Sequence, residues 1–171
     1  MVERVLPVEL RVSATHPAGR GVVVKHRDAT ATTRVYVDMV GDLFHAGHVA
    51  LLRDARRHGD WLIAGVLSDD TAASYKRRPI MTLAERVAVI EACRYVDEVI
   101  EDAPFRVTEE FLDEHAIATV VHGDDLSPQG AESVYGAATA AGKLTYVPRT
   151  GGISTTQLIQ RVLDRDASRP D

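Results

Sequence analysis

The chain has 171 residues, 45% of them hydrophobic and 26% charged, with a formal net charge of −5. That length suits one domain with a buried core, and the acidic balance argues against a general nucleic-acid or anionic-membrane binder while leaving room for a local basic pocket. The single cysteine, Cys93, excludes an intrachain disulfide and fits a reducing compartment; among Val89, Ile90 and Ala92 it reads as a buried structural thiol.

Met1–Arg11 carries Glu3, Arg4 and Glu9 and has no apolar signal-peptide core. No stretch approaches the roughly 18 apolar residues of a membrane span, so a cytoplasmic protein is expected. Residues 1–33 read as an N-terminal extension. Val5–Val12 and Val22–Val24 are candidate strands around a turn at Pro17–Gly21, giving a hairpin that packs on the main domain or on a second subunit. Asp28–Thr33 reads as a linker, 34–164 as the main domain and 165–171 as a frayed tail.

The main domain opens with the stretch VYVDMVGDLFHAGH, Val35 to His48. An apolar run Val35–Val40 predicts a strand and Gly41-Asp42 a turn. Val49, Leu51, Leu52 and Ala55 then recur at helical spacing behind His45-Ala46-Gly47-His48. A strand, a short loop with two imidazoles and a helix start form a phosphate-handling arrangement. The helix N-terminus offers unpaired N–H groups and a partial positive charge, and the imidazoles add hydrogen-bond donors. Gly47 lets a ligand approach the backbone without a Cβ in the way.

Trp61–Leu67 reads as a strand buried on both faces. Thr82 and Glu85 have capping-box spacing and open a helix showing Val87, Ile90, Ala92 and Cys93. Val96–Ile100 reads as a strand, Thr108–His115 as a helix, Ala118–Val121 as a strand, Ala131–Ala141 as a helix and Leu144–Val147 as a strand. Ser154 and Gln157 repeat the capping-box spacing before a last helix with apolar residues Leu158, Ile159, Val162 and Leu163. This alternation predicts an α/β fold: a Rossmann-like parallel sheet with helices on both faces, whose ligands bind beyond the carboxyl ends of the strands. Four clusters fall at that edge: His45 with His48, Ser68-Asp69, His122-Gly123-Asp124-Asp125, and Arg149–Thr156.

In the last cluster two glycines, Gly151 and Gly152, allow a tight turn, and Ser154, Thr155 and Thr156 sit at a helix start. Arg149 adds a fixed positive fork for phosphate oxygens. Lys76-Arg77-Arg78 is the concentrated basic run, suited to a lid over a triphosphate. Asp69, Asp124 and Asp125 are candidates to orient a base, a ribose or a metal-bound water. No GxxxxGK[ST] or GxGxxG pattern is present, and no cysteine–histidine cluster points to zinc.

Together these motifs resemble the cytidylyltransferase family that makes CDP-alcohols, within the HxGH nucleotidyltransferase superfamily. The resemblance spans about Arg34 to Leu163. Besides the HxGH loop it includes Gly59-Asp60-Trp61-Leu62, Glu85-Arg86, Arg94-Tyr95-Val96-Asp97-Glu98-Val99, His122–Asp125, and Arg149-Thr150 with Gly152-Ile153-Ser154-Thr155-Thr156. Within the family it is most similar to the ethanolamine-phosphate type, in Val35, Asp38 and HGDD.

The resemblance implies in-line attack by an acceptor phosphate oxygen on the α-phosphorus of CTP, with release of pyrophosphate and Mg²⁺ held through the triphosphate. His45, His48, Lys76 and Arg149 would then be catalytic. Val40, Gly41, Asp42, Gly47, Asp69, Arg86, Arg94, Gly123, Asp124, Thr150, Gly152, Ile153, Ser154 and Thr155 would bind the nucleotide. A homodimer is implied as well. The implied acceptor is phosphoethanolamine-like or a phosphonate; the alternatives are an adenylyltransferase of the same superfamily and a catalytically quiet nucleotide-binding module.

Two segments depart from the family's pattern. Met39-Val40-Gly41-Asp42 replaces Gly-[Thr/Cys]-aromatic-Asp, and Ser74 stands where the first of two paired lysines is expected, Lys76 being the second. Both lie where donor and acceptor meet.

Overall fold

The structure, a computed structural model, describes residues 22–24 and 33–168. Its sheet has six strands in the order β1-β4-β3-β2-β5-β6. These are β1 (Val22–Val24), β2 (Arg34–Met39), β3 (Trp61–Val66), β4 (Glu98–Glu101), β5 (Ile117–Gly123) and β6 (Leu144–Val147). β2 to β6 run parallel, and β1 closes one edge antiparallel to β4, with Val22 opposite Ile100. The expected strand at Val22–Val24 is therefore present. The other half of the expected hairpin, Val5–Val12 with its turn, lies outside the described residues.

Helices α1 (Ala46–Ala55), α2 (Asp69–Tyr75), α3 (Leu83–Glu91), α4 (Glu109–Glu114), α5 (Pro128–Ala140) and α6 (Thr155–Ala167) connect or follow the strands. Two apolar cores result. On one face Val35, Val37, Leu62, Ala64 and Val66 pack with Leu52 and Ala55 of α1 and Val87 and Ile90 of α3. On the other, Tyr36, Ile63, Ile117 and Val120 pack with Phe111 and Leu112 of α4 and Tyr135 and Ala138 of α5. The period of two along β2 sends Val35 and Val37 one way and Tyr36 the other, as strand geometry requires. No helix among the described residues is long and apolar enough to cross a membrane.

Several boundaries shift. The strand expected from Val96 begins at Glu98, because Val96 and Asp97 complete the turn out of α3. α2 has no counterpart in the sequence pattern: Asp69–Tyr75 has no apolar period, and its start is fixed by Ser68, whose Oγ accepts the Thr71 N–H at 3.3 Å. The Thr82–Glu85 capping box forms with both bonds, whereas Ser154 takes the Gln157 N–H at 3.2 Å and only that half is present among the described contacts. α6 has no buried residue, and Val162 and Leu163 are 65% and 56% exposed: beyond its first turns the helix leaves the body of the domain. Cys93 is half-buried against the first core rather than fully enclosed.

The carboxylates of the Arg94–Val99 stretch lie at the amino edge of the sheet. Asp97 Oδ2 accepts the Leu62 N–H at 2.9 Å, and Glu98 Oε2 accepts from Trp61 Nε1 at 3.0 Å and Arg34 Nη2 at 2.6 Å. Both acids are buried, so pairing with fixed donors is what makes their burial tolerable. They tie the starts of β2, β3 and β4 together at this edge.

Candidate active site

The strand order reverses between β2 and β5, and beyond that point a cavity of about 900 Å³ opens at the carboxyl edge. Its floor is Asp38, Met39 and Val40 from the end of β2, followed by Gly41 and Asp42. Gly41 sits at φ +70°, where a side chain is strained, so the turn favours glycine; an added Cβ would also press on Ile90 Cδ1 at 2.6 Å.

The two histidines form a cap on α1. His45 is the N-cap residue, and its Nδ1 accepts the Gly47 N–H at 3.1 Å. His48 Nδ1 accepts the His45 N–H at 3.2 Å, completing a capping box built from imidazoles. With both Nδ1 atoms accepting, the ring protons reside on Nε2, and each ring is left with an N–H donor to offer a ligand. The rings stack with centroids 4.0 Å apart, and Phe44 stacks behind His48 at 5.4 Å. Gly47 makes room for this: a Cβ there would meet His45 Cε1 at 2.9 Å.

Burial, then the neighbouring His45, pushes the His48 pKa down from 6.5 to about 4, with Asp42 pulling the other way; burial lowers His45 too. Both rings are neutral donors at pH 7. The linkage is explicit: the unfolded chain takes up the His48 proton first, so stability from this site is full above about pH 6.5 and is lost as pH falls toward about 4. The buried Asp38 carboxyl, raised chiefly by burial, opposes this trend. Thermal midpoints of wild type and His48→Gln across pH 7 to 4 should therefore show a shallower acid decline in the variant; parallel curves would refute the assignment.

The carboxyl-terminal cluster closes the other side of the same cavity. Arg149, Thr150, Ile153, Ser154 and Thr155 line it together with His45 and His48. Thr155 Oγ1 donates to the Asp42 carbonyl at 2.9 Å, tying the start of α6 to the histidine loop across 113 residues of sequence. Lys76 and Arg77, after α2, form a third wall, and Arg77 Nη1 donates to Thr156 Oγ1 at 3.2 Å. Imidazoles, hydroxyls, a helix start and three cations thus converge on one space.

Next to this polar half lies an aromatic pocket that no sequence motif marks. Tyr135 of α5 donates its hydroxyl to Asp38 Oδ1. The rings of His122 and Tyr135 are 5.5 Å apart, and Tyr75 packs on Phe105 at 4.9 Å nearer the mouth. Asp38 is 8% exposed, and no cation lies within ion-pairing distance of it among the described residues. Burial raises its pKa, and the Tyr135 hydroxyl and the Coulombic pull of His122 offset that only in part.

Comparisons with known proteins decide the family. The Cytidylyltransferase-like family profile matches residues 41–161. The chain belongs to the cytidylyltransferase-like family. It is 45% identical over 132 residues to ethanolamine-phosphate cytidylyltransferase of Dictyostelium discoideum, covering 76% of this chain and 36% of that protein. It is 41% identical over 133 residues to choline-phosphate cytidylyltransferase A of Rattus norvegicus, with the same two coverages. The chain thus spans about a third of the length of the curated relatives it matches. Among solved structures, the lipopolysaccharide core biosynthesis protein of Thermoplasma volcanium superposes with a TM-score of 0.59 at 25% identity, covering 69% of this chain and 98% of that one. Pantothenate synthetase of Thermus thermophilus shares the fold at a TM-score of 0.50 and 17% identity, covering 78% and 67%.

In this cytidylyltransferase-like chain the implied site residues divide into those on the cavity wall and those behind it. His45, His48, Lys76, Arg149, Val40, Gly41, Asp42, Gly47, Gly123, Thr150, Ile153, Ser154 and Thr155 line the cavity. Asp124 stands behind it, its Oδ1 taking the Arg149 backbone N–H at 3.0 Å. Gly152 holds the turn at φ +82°. Asp69 and Arg86 face each other at 2.5 Å, with Arg86 wholly buried. Arg94 is exposed in the turn before β4, at the sheet's opposite edge, with Nη2 on the Tyr95 hydroxyl at 3.0 Å. The Arg149 guanidinium pairs with Asp125 at 2.7 Å, both about half exposed.

Proposed function

We propose that the protein transfers CMP from CTP to a small phosphate-bearing amine, of the phosphoethanolamine or phosphocholine kind. An acceptor phosphate oxygen attacks the α-phosphorus, the bond from that phosphorus to the bridging oxygen breaks, and pyrophosphate leaves with the electron pair. No covalent enzyme intermediate is needed, so catalysis rests on positioning and on neutralising charge. The Nε2–H groups of His45 and His48 face the reacting phosphates. Lys76 and Arg149 offset the negative charge gathered there, with Arg149 exchanging Asp125 for phosphate. Ser154 and Thr155 present hydroxyls and the start of α6 to the nucleotide.

The observation that carries the acceptor assignment is Asp38. A carboxylate buried at the cavity floor, in contact with a tyrosine hydroxyl and without a cationic partner among the described residues, is costly alone and is stabilised by an incoming ammonium. Tyr135 touches it, and Tyr75 and Phe105 line the same cavity nearer the mouth with π-faces suited to a cation. A phosphonate bearing the same amine is the second reading. Val40 favours it: its apolar side chain on the cavity wall stands where a hydroxyl or thiol is expected and takes a donor away from the phosphate side.

Mg²⁺ fits this site. Asp42 lines the cavity, its Oδ2 is buried without a hydrogen-bond partner among the described residues, and one carboxylate oxygen is what a cation held mainly by phosphates and water requires. Asp42 would hold it, and the ion would neutralise charge on the leaving pyrophosphate.

Pyrophosphate release with CTP, tested beside ATP against phosphoethanolamine, phosphocholine, glycerol phosphate and an aminoalkylphosphonate, tests the proposal. Turnover is expected with CTP and the amine-bearing acceptors. Silence with all of them, or a preference for ATP, would overturn it.

A further inference from the structure

We infer that Arg86 is a positioning residue for this transfer, acting from behind the cavity wall rather than on the nucleotide; the inference rests on the proposed reaction for its kinetic part only. Arg86 is 0% exposed, the largest fully buried side chain among the described residues, and it is absent from the cavity lining. Its guanidinium is spent on four acceptors. Nε donates to the Met81 carbonyl at 3.2 Å, one Nη1 bond goes to the Val40 carbonyl and another to the Leu67 carbonyl at 2.8 Å, and Nη2 meets Asp69 Oδ1 at 2.5 Å.

Each acceptor borders a working part of the site. Val40 is the last residue before Gly41-Asp42 and the histidine loop. Leu67 directly follows β3, and Asp69 begins α2, the helix whose far end delivers Lys76. Met81 terminates the basic loop. That loop is held a second time from the histidine side, since Asp42 Oδ1 accepts the Ile80 and Met81 N–H groups at 3.0 Å each. The basic loop is thus clamped at its exit between Asp42 and Arg86, and at its root through Asp69. The residues that clamp it also fix the backbone at the HxGH turn. A planar five-donor fork is suited to this task, because the acceptors lie in different directions around one buried point. Lysine keeps the charge but cannot span them.

The geometry predicts a particular separation of effects. In Arg86→Lys, kcat for pyrophosphate release should fall at least tenfold, while the dissociation constant for CTP, measured by calorimetry without acceptor, changes less than threefold. Amide hydrogen exchange over residues 70–81 should accelerate, with β2, β3 and β5 keeping wild-type protection. Asp69→Asn, which removes one anchor and leaves the arginine in place, should show the same pattern more weakly, and it serves where Arg86→Lys does not fold.

A CTP dissociation constant that rises in step with the loss of kcat would make Arg86 a nucleotide ligand and overturn the inference. So would unchanged exchange at residues 70–81 with a lowered melting temperature and wild-type kcat per folded molecule, the signature of a purely structural role. The exchange measurement needs no substrate, so it decides the positioning claim even if wild type turns over none of the acceptors, an outcome that counts against the proposed function alone.

Discussion

His48→Ala is expected to lower kcat for pyrophosphate release by a hundredfold or more, a loss of about 2.7 kcal/mol or more of transition-state stabilisation. The reasoning starts from the cap. His48 Nδ1 is already engaged by the His45 N–H, so the ring is oriented by the helix it begins and Nε2–H is left for the triphosphate. Its depressed pKa, about 4, keeps it a neutral donor in the free protein. A preorganised donor contributes more as charge develops than it does to ground-state binding, so the loss should appear in kcat more than in the CTP dissociation constant.

Alanine also removes the reciprocal half of the capping box, the acceptor for the His45 N–H, so two further variants separate the roles. Asparagine supplies an acceptor near the Nδ1 position without the distal donor and should fold normally while remaining slow. Glutamine reaches the Nε2 position and should recover part of the rate. A His48→Ala protein within a few-fold of wild type would remove the histidine loop from the mechanism.

For Asp38→Asn the expected result is a hundredfold or larger fall in kcat/KM for an amine-bearing acceptor, carried mainly by KM, with CTP binding unaltered. A fully desolvated pair between a carboxylate and an ammonium is worth about 2–5 kcal/mol when one partner is truncated, enough for that fall. Stability should move the other way. The carboxyl is buried, its pKa is raised by that burial, and it has no cationic partner among the described residues, so the free protein carries a cost that the amide does not. The melting temperature is therefore expected to stay level or rise, even though Tyr135 gives up a charged acceptor for a neutral one. The control is a phosphorylated alcohol lacking the amine: any turnover of it should be unaffected by the substitution. Equal losses for both acceptors would show that Asp38 serves the fold or the phosphates and would remove the argument for an ammonium.

The two variants examine different halves of the cavity. One half handles phosphate and is built from β2, the first turn of α1 and the start of α6. The other handles the remainder of the acceptor and is built from β2, α5 and the segments around Tyr75 and Phe105. Asp38 and His48 are ten positions apart on a single strand–loop–helix unit, so one short stretch of chain contributes to both.

Those two halves were unequally legible in the sequence. The phosphate half was readable because phosphate binding uses devices that are local: a strand, a tight turn, a helix start with its cap, hydroxyls three residues from a partner. Val35–His48 and Arg149–Thr156 each carry such a device within a dozen or so residues, so periodicity and capping chemistry sufficed to put both at the carboxyl edge. The alternation of strands and helices fixed the parallel sheet for the same reason.

Only the tertiary structure decided the rest. Tyr135 and Phe105 have no local signature, since an aromatic residue in a helix or loop reads as core until the fold brings it to the cavity, as it brings Tyr135 against Asp38, 97 residues away. Arg86 belongs to a motif whose residues look like ligands, yet its burial and its four acceptors depend on where β2, β3 and α2 end in space. α6 shows the converse: its apolar period is real, but whether a periodic face is covered depends on the path of the helix, and this one runs off the domain with Val162 and Leu163 exposed. Local rules determine which elements form and how they begin. Which side chains share a cavity is set by long-range packing, and no window of sequence contains it.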